Sequence, residues 1–245
     1  MCDWMSDDML KDMTPSLLGD HPNTYTFTKA LAETLLVNEC GSLPVAIVRP
    51  SIVTAAWNEP IPGWVEGLNG PTGIIAGTYK GILRSLYSKS EASTDIIPVD
   101  VVINLMVALV WFMAIKGKNA VQFYNCTPGA LNPINCGQLN KAVNSSIEDN
   151  PSSKAFRYPH VTNRESRISN MFWRFFDHLL PGYLIDMVMI MLGRNPFMVE
   201  LYGKIHRSID FMEPFTTKEW LFRIDNMVEL FNQLHVLDKK VKFIL

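Results

Sequence analysis

Along the chain, short β-branched runs alternate with longer stretches in which apolar positions recur at helical spacing. Residues 24–39 (TYTFTKALAETLLVNE) predict a helix ended by Cys40-Gly41, with Gly41 as a natural C-terminal cap. LPVAIVRPSIV (43–53) is β-branched and broken by Pro50, the pattern of a buried, parallel strand ending in a loop. Residues 54–78 hold Pro60, Pro62, Pro71 and five glycines, together with Trp57 and Trp64; such a long, aromatic, turn-rich stretch reads as a functional loop. DIIPVDVV (95–102) leads into an apolar helix beginning near Val101, and AVQFYNCT (120–127) reads as another buried strand. Strand, helix, strand at this spacing indicates a parallel α/β sheet. From about Asn132 onward helices dominate. Pro196 opens one whose Met198, Leu201, Tyr202, Ile205, Ile209 and Met212 share a face. Thr216 with Glu219 fits a capping box, and Asp225 stands where it would cap a last helix over 226–234. The opening MCDWMSDDML shows no strand and reads like the middle of a protein.

Two apolar runs bear on membranes. Residues 103–115 (INLMVALVWFMAI) are short of a span and fit a buried helix, since a span needs roughly 18 or more apolar residues. The Met-rich YLIDMVMIML (183–192) follows FWRFFDHLLPG, and two readings stay open: core, or contact with a lipid surface.

Composition narrows the class. In 245 residues, 48% are hydrophobic and 19% charged, a globular protein with a full core. A net charge of −2 argues against a nucleic-acid partner, which needs concentrated Lys and Arg. Cys2, Cys40, Cys126 and Cys136 form no CxxC pair and no metal-like spacing with the five histidines, so no metal is expected and the thiols read as reduced, in an intracellular setting.

The candidate chemistry lies in YTFTK, which puts Tyr25 and Lys29 at i and i+4, on one face of the first predicted helix. A phenol titrates near ~10, too high for a proton donor regenerated at neutral pH. A neighbouring ammonium, and to a lesser degree the helix N-terminus, favours the phenolate and brings the group into a useful range. The plain alternative is a partly buried Tyr beside a solvated Lys, and these five residues alone do not separate the two.

Their neighbours add a resemblance. HPNTYTFTKALAE (21–33), VAIVRPSIV (45–53), NEPIPGWVEGLNGPTG (58–73), KGILR (80–84), IPVDVVIN (97–104), YNCT (124–127) and LYGKIHRSIDFMEPFTTKEW (201–220) together resemble the fatty acyl-CoA reductases of the extended short-chain dehydrogenase/reductase superfamily, in particular the animal alcohol-forming members. The resemblance runs from about Trp4 to Leu245. It implies an α/β fold: the C-terminal part of a Rossmann-type parallel sheet in 1–150, then a mainly helical male-sterility-type domain in 151–245. It implies Tyr25 as catalytic acid and Lys29 as the group that lowers its pKa and, with Tyr25, holds the nicotinamide ribose. Pro50, Ser51, Ile52 and Val53 would border the nicotinamide, while Asp100 stays structural. The implied reaction reduces a long-chain acyl-CoA with NADPH to a primary alcohol through an aldehyde. Trp57 and Trp64 then either line the route of the acyl chain or pantetheine arm, or plug the core beneath the loop. By the same resemblance the whole protein would work at a lipid-handling membrane, the peroxisomal one in animals.

The sequence departs from the family pattern in three places. Only Gly19 precedes the dyad, so no G-x-x-G-x-x-G phosphate turn is present. The superfamily's carbonyl-polarising Ser or Thr is also missing, and Thr14 and Ser16 do not stand in its motif. Thr54 replaces an expected Gly, so a side chain there would either crowd the cofactor or alter the loop's backbone. The expectation is a middle and C-terminal portion of a reductase, inactive alone and aggregation-prone where VAIVR and VQFYN leave strand edges uncovered. The competing reading is a non-catalytic, truncated paralogue that binds lipid or a partner. A sugar epimerase or steroid dehydrogenase is disfavoured because the helical C-terminal domain suits neither.

Overall fold

The computed structural model describes residues 4–116 and 121–234. Three parallel strand pairs organise it. β1 (Ala46–Pro50) pairs with β5 (Gln122–Cys126), β2 (Ile52–Thr54) with β4 (Ile96–Pro98), and β3 (Ser85–Tyr87) with β6 (Thr162–Arg164). The single run expected over 43–53 is therefore two strands. Proline has no N–H to give to a ladder. Beyond Pro50 the chain changes partner: the Ser51 N–H donates to Cys126 O and the Ile52 N–H to Asp95 O. Ala120, the first residue of the expected later strand, lies outside the described residues.

Nine helices among the described residues surround these pairs: α1 (Asp7–Leu18), α2 (Thr24–Glu39), α3 (Pro71–Tyr79), α4 (Val99–Lys116), α5 (Cys136–Asp149), α6 (Arg167–Arg174), α7 (Leu180–Met191), α8 (Met198–Thr217) and α9 (Asp225–Gln233). A π-turn (Phe175–Leu179) joins α6 to α7 without a break. The 24–39 helix stands as expected, with Asn23 accepting at its N-cap and Gly41 at φ 57° beyond its end.

Several boundaries differ. The opening segment forms α1, capped by Ser6, an N-cap residue with Asp7 and Asp8 in the first turn that favour a helix start. The long loop stops at Gly70, because Pro71 starts α3 at a position where its missing N–H costs nothing. α4 begins at Val99, two residues before the expected start. Thr216 caps no helix: it lies in the last turn of α8, and its hydroxyl donates to Tyr87 O. Asp225 is the first residue of α9 rather than its cap, and its carboxylate instead receives the Arg223 guanidinium.

α4 presents Val101, Val102, Leu105, Ala108, Leu109, Phe112 and Met113 to the core, the i, i+3, i+4 spacing of one helix face. All of these but Met113 pack with Ile97, Tyr124, Cys126, Ile224, Met227, Leu230 and Leu234, so α9 closes the core from roughly a hundred residues away. Each Val, Leu, Ile, Phe or Met side chain among them contributes about 1.5–3 kcal/mol on burial. α4 has 18 residues and is long and apolar enough, by composition, to cross a membrane, unlike the shorter helix expected there. Its opposite face, including Val107 and Val110, is exposed.

α8 is started by a side chain from another helix. The Asp186 carboxylate of α7 accepts from the N–H groups of Phe197, Met198 and Val199, three donors that a helix N-terminus leaves unpaired. Burial raises the Asp186 pKa, but those three bonds outweigh it and the group titrates below the ordinary carboxylate range. α7 and α8 approach closely because Gly182 faces the Tyr202 ring, where a Cβ would stand 3.0 Å from Cδ2.

Candidate active site

Tyr25 and Lys29 sit in the first two turns of α2, where the Asn23 cap fixes the helix start: its Oδ1 accepts from the Thr26 N–H at 2.9 Å. The helix brings the pair together as its spacing requires, with the Lys29 ammonium 5.7 Å from the centre of the Tyr25 ring. That is cation–π range, and both side chains are open to solvent, Tyr25 at 57% exposure.

The next residue on that face, one further turn along, is Glu33. Its carboxylate takes the Arg49 guanidinium in a two-pronged bond, with Nε to Oε1 at 2.9 Å and Nη2 to Oε2 as the second contact. Arg49 immediately precedes Pro50 and also lies over the Phe123 ring at 4.6 Å. The Glu33 bond raises the Arg49 pKa against a smaller effect of burial. So the helix face carrying Tyr25 and Lys29 is tied to the C-terminal end of β1, where the chain runs on into Pro50, Ser51, Ile52 and Val53. No hydrogen bond or ring contact joins the dyad to those four residues. Their tie is Glu33–Arg49. Sequence reasoning missed it, although the i, i+4, i+8 spacing of Tyr25, Lys29 and Glu33 was available to read.

Pro50 and Val53 are exposed; Ser51 and Ile52 are half-buried. Beneath them the Asp95 carboxyl is pushed above the usual range by burial, against the smaller influence of the nearby Ser51 hydroxyl and Gly129 backbone, which favour its charged form. Gly129 has no room for a side chain there, since a Cβ would stand 2.5 Å from Asp95 Oδ2. Burial likewise carries the Cys126 thiol up to about 12, helped by the nearby Asp95, so this thiol is inert. Cys40, Cys126 and Cys136 form no disulfide.

The loop after β2 is held by Asp100, from the first turn of α4. Its carboxylate accepts from Trp57 N (3.0 Å), Asn58 N (2.8 Å) and Glu59 N (3.2 Å). Burial raises its pKa, but these bonds outweigh that and leave it lowered. Trp57 and Trp64 are 47% and 39% exposed, so neither plugs the core. Trp57 lines an open cleft of ≈ 510 Å³ with Thr54, Ile96, Pro98, Pro133 and Gln138; Trp64 does not line it. The Thr54 hydroxyl donates back to Ile97 O at 3.4 Å, which ties this side chain to β4.

Ile96 also lines a second cavity, ≈ 90 Å³, enclosed by α3, α5 and α8. Its walls are apolar almost throughout: Ile52, Ile74, Leu86, Leu139, Val143 and Met212 among them. Among the described residues, no group of three or more His, Cys, Asp or Glu side chains is placed to hold a metal.

Comparison with known proteins places these features in a family. The male sterility protein models match at residues 2–106, for the NAD-binding part, and at residues 177–243, for the Sterile part. Fatty acyl-CoA reductase 1 of Rattus norvegicus is 40% identical over 97% of this chain and 46% of its own length; the Homo sapiens protein of that name is 41% identical over the same shares. Fatty acyl-CoA reductase 2 of Mus musculus is 40% identical over 98% of this chain and 46% of its own length. The chain thus spans about half the length of the curated relatives it matches. Among solved structures, the crystal structure of gox2253 aligns at TM-score 0.39 and 19% identity, over 83% of this chain and 48% of that one. The chain thus carries the two parts that the male sterility protein models describe, an α/β NAD-binding part followed by a helical Sterile part, and over nearly its whole length it is similar to about half of fatty acyl-CoA reductases 1 and 2.

Proposed function

We propose that these residues serve the NADPH-dependent reduction of a long-chain acyl-CoA to a primary alcohol by way of a bound aldehyde. The observation that carries the reading is the α2 face on which Tyr25, Lys29 and Glu33 succeed one another, fastened through Arg49 to the strand end before Pro50. The residues suit the nicotinamide half of the cofactor: Tyr25 and Lys29 stand open at a helix N-terminus, and Pro50 and Val53 stand open beside the carboxyl end of a parallel strand, where such sheets bind their ligands. They do not include a Gly-rich turn for the pyrophosphate.

Bound there, the reduced nicotinamide supplies hydride. Tyr25 holds the proton that each reduction delivers to the former carbonyl oxygen, where negative charge develops. Lys29 favours the phenolate left behind and, with Tyr25, holds the ribose. Pro50, Ser51, Ile52 and Val53 wall off one side of the ring. Trp57, fixed by Asp100, flanks the route of the thioester, with Trp64 further out, and the apolar cavity at Ile52 takes a segment of the acyl chain. NADPH rather than NADH, alcohol rather than aldehyde as product, and a peroxisomal or other lipid-handling membrane as location follow from the family resemblance.

The test joins the chain behind the G-x-x-G-x-x-G segment of a fatty acyl-CoA reductase and supplies palmitoyl-CoA with NADPH or NADH. The expected result is NADPH oxidation, thiol release and fatty alcohol. Palmitoyl-CoA binding without oxidation of either nucleotide would instead support a non-catalytic lipid-binding paralogue.

A further inference from the structure

α6, the π-turn and α7 form one unbroken helical stretch, and its polarity is inverted. Every exposed side chain between Ile168 and Leu192 is apolar or aromatic, with Ile168 at 81% and Met191 at 68% exposure. The polar side chains of the same stretch turn inward. Asn170 accepts from the Ser85 hydroxyl, His178 from the Arg84 N–H, and Asp186 starts α8; Arg174 and Asp177 are half-buried. A helix on a water-facing surface shows the opposite arrangement, and a contiguous apolar strip of this length far exceeds what a soluble monomer ordinarily exposes.

We propose that the outer face of α6, the π-turn and α7 lies in the plane of a lipid bilayer's interface, its axis parallel to the surface. Two features favour lipid over a protein partner. A protein interface carries about one hydrogen bond per 100–200 Å²; along the whole strip the exposed groups able to form one are the Trp173 indole N–H and the Tyr183 hydroxyl. Those two side-chain types are the ones enriched at headgroup level. The charges beside the strip also match an anionic surface. Glu200, Asp210 and Glu213 are spent on Lys204, Arg174 and Arg167, while the exposed Arg194, just past Leu192, forms no ion pair among the described residues. An interfacial helix of this kind sinks roughly 5–10 Å into the headgroup and acyl boundary. The fold hydrogen-bonds the helix on one side and leaves the other for hydrocarbon. This surface is independent of the hydride chemistry, so flotation and NADPH oxidation can fail separately.

The full chain is floated with phosphatidylcholine vesicles, with and without phosphatidylserine. The unaltered protein should float, more so with phosphatidylserine. Leu184→Glu and Met187→Glu, both at exposed positions, should each weaken partitioning roughly 10- to 100-fold, as expected for one large apolar side chain, with an unchanged circular dichroism spectrum. Arg194→Glu should remove most of the gain from phosphatidylserine. In a Cys2→Ser, Cys40→Ser background, a spin label at Met187→Cys should become accessible to oxygen and shielded from chelated nickel on vesicles, while one at Lys204→Cys stays open to nickel. An unaltered protein that stays in the aqueous phase overturns the proposal. So does a discrete dimer that the two Glu variants split, or a label at 187 shielded from both oxygen and nickel, since each means that protein covers the strip.

Discussion

His178 Nδ1 lies 2.9 Å from His206 Nε2 in a buried pair, and the Arg84 N–H donates to the other ring nitrogen of His178 at 3.0 Å. With Nε2 accepting, the proton of His178 must be on Nδ1 and given to His206, so both rings are held neutral. Tyr202 stacks on His178, closing that side. Burial, first of all, pushes His178 down to about 3, with His206, Arg157, Arg174 and Arg84 adding to it. Burial and Arg174 take His206 down to about 4, against the opposing Asp210.

This pair gives the fold a pH dependence. Histidines depressed in the native state stabilise it above the unfolded pKa of about 6.5, and that contribution is lost as pH falls toward their native values. Stability to urea should therefore fall between about pH 6.5 and about pH 4, by up to roughly 1.4 kcal/mol per pH unit for each histidine. His206→Gln keeps an acceptor for His178 and should flatten the slope by about half. An unchanged slope would place the titration elsewhere.

Tyr25→Phe removes a proton donor and almost no volume. In the fused reductase, alcohol formation should drop by about 10²- to 10⁴-fold while NADPH affinity stays near its starting value. Lys29→Ala should impair both. Glu33→Gln leaves the dyad untouched but weakens its tie to Arg49, so turnover should fall with less effect on nucleotide binding. Stopped-flow NADPH oxidation and titration calorimetry separate these outcomes.

Asp100 and Trp57 form a second unit. Trp57→Ala should raise KM for palmitoyl-CoA more than for a short acyl-CoA, and Trp64→Ala, outside the cleft, should do so less. Asp100→Ala frees three backbone N–H groups of the same loop and should reproduce the KM effect of Trp57→Ala. Equal KM changes for long and short substrates would remove the loop from substrate binding.

Val143 lines the apolar cavity beside Ile52. Val143→Trp should fill it and shift preference toward shorter acyl chains, by about 10-fold in the ratio of kcat/KM, the scale of discrimination by a methylene or two in an apolar pocket. Product profiles from mixed acyl-CoA substrates give the readout.

Local chemistry was enough to read much of this from sequence. Gly41 ends α2 because a left-handed glycine satisfies a helix C-terminus by itself. The face-sharing of Tyr25 and Lys29 follows from helix spacing, and the shared face of Met198, Tyr202 and Ile205 likewise. The Met-rich 183–192 run was legible as apolar, but its sequence left both core and lipid surface open, with core the favoured reading. Only the tertiary structure decided that its apolar side faces outward, because Asp186 and His178 are drawn inward by backbone donors at 197–199 and at 84. Thr216 failed as a cap for the same reason: its sequence context permits capping, but Tyr87 O is a partner that arrives only on folding. Asp225 failed locally, since α9 starts one residue earlier than expected and Arg223, two residues back, takes its carboxylate. The Glu33–Arg49 tie, sixteen residues apart, joins a helix face to a strand end. Sequence determined each end of that tie; only packing α2 against β1 could bring them together.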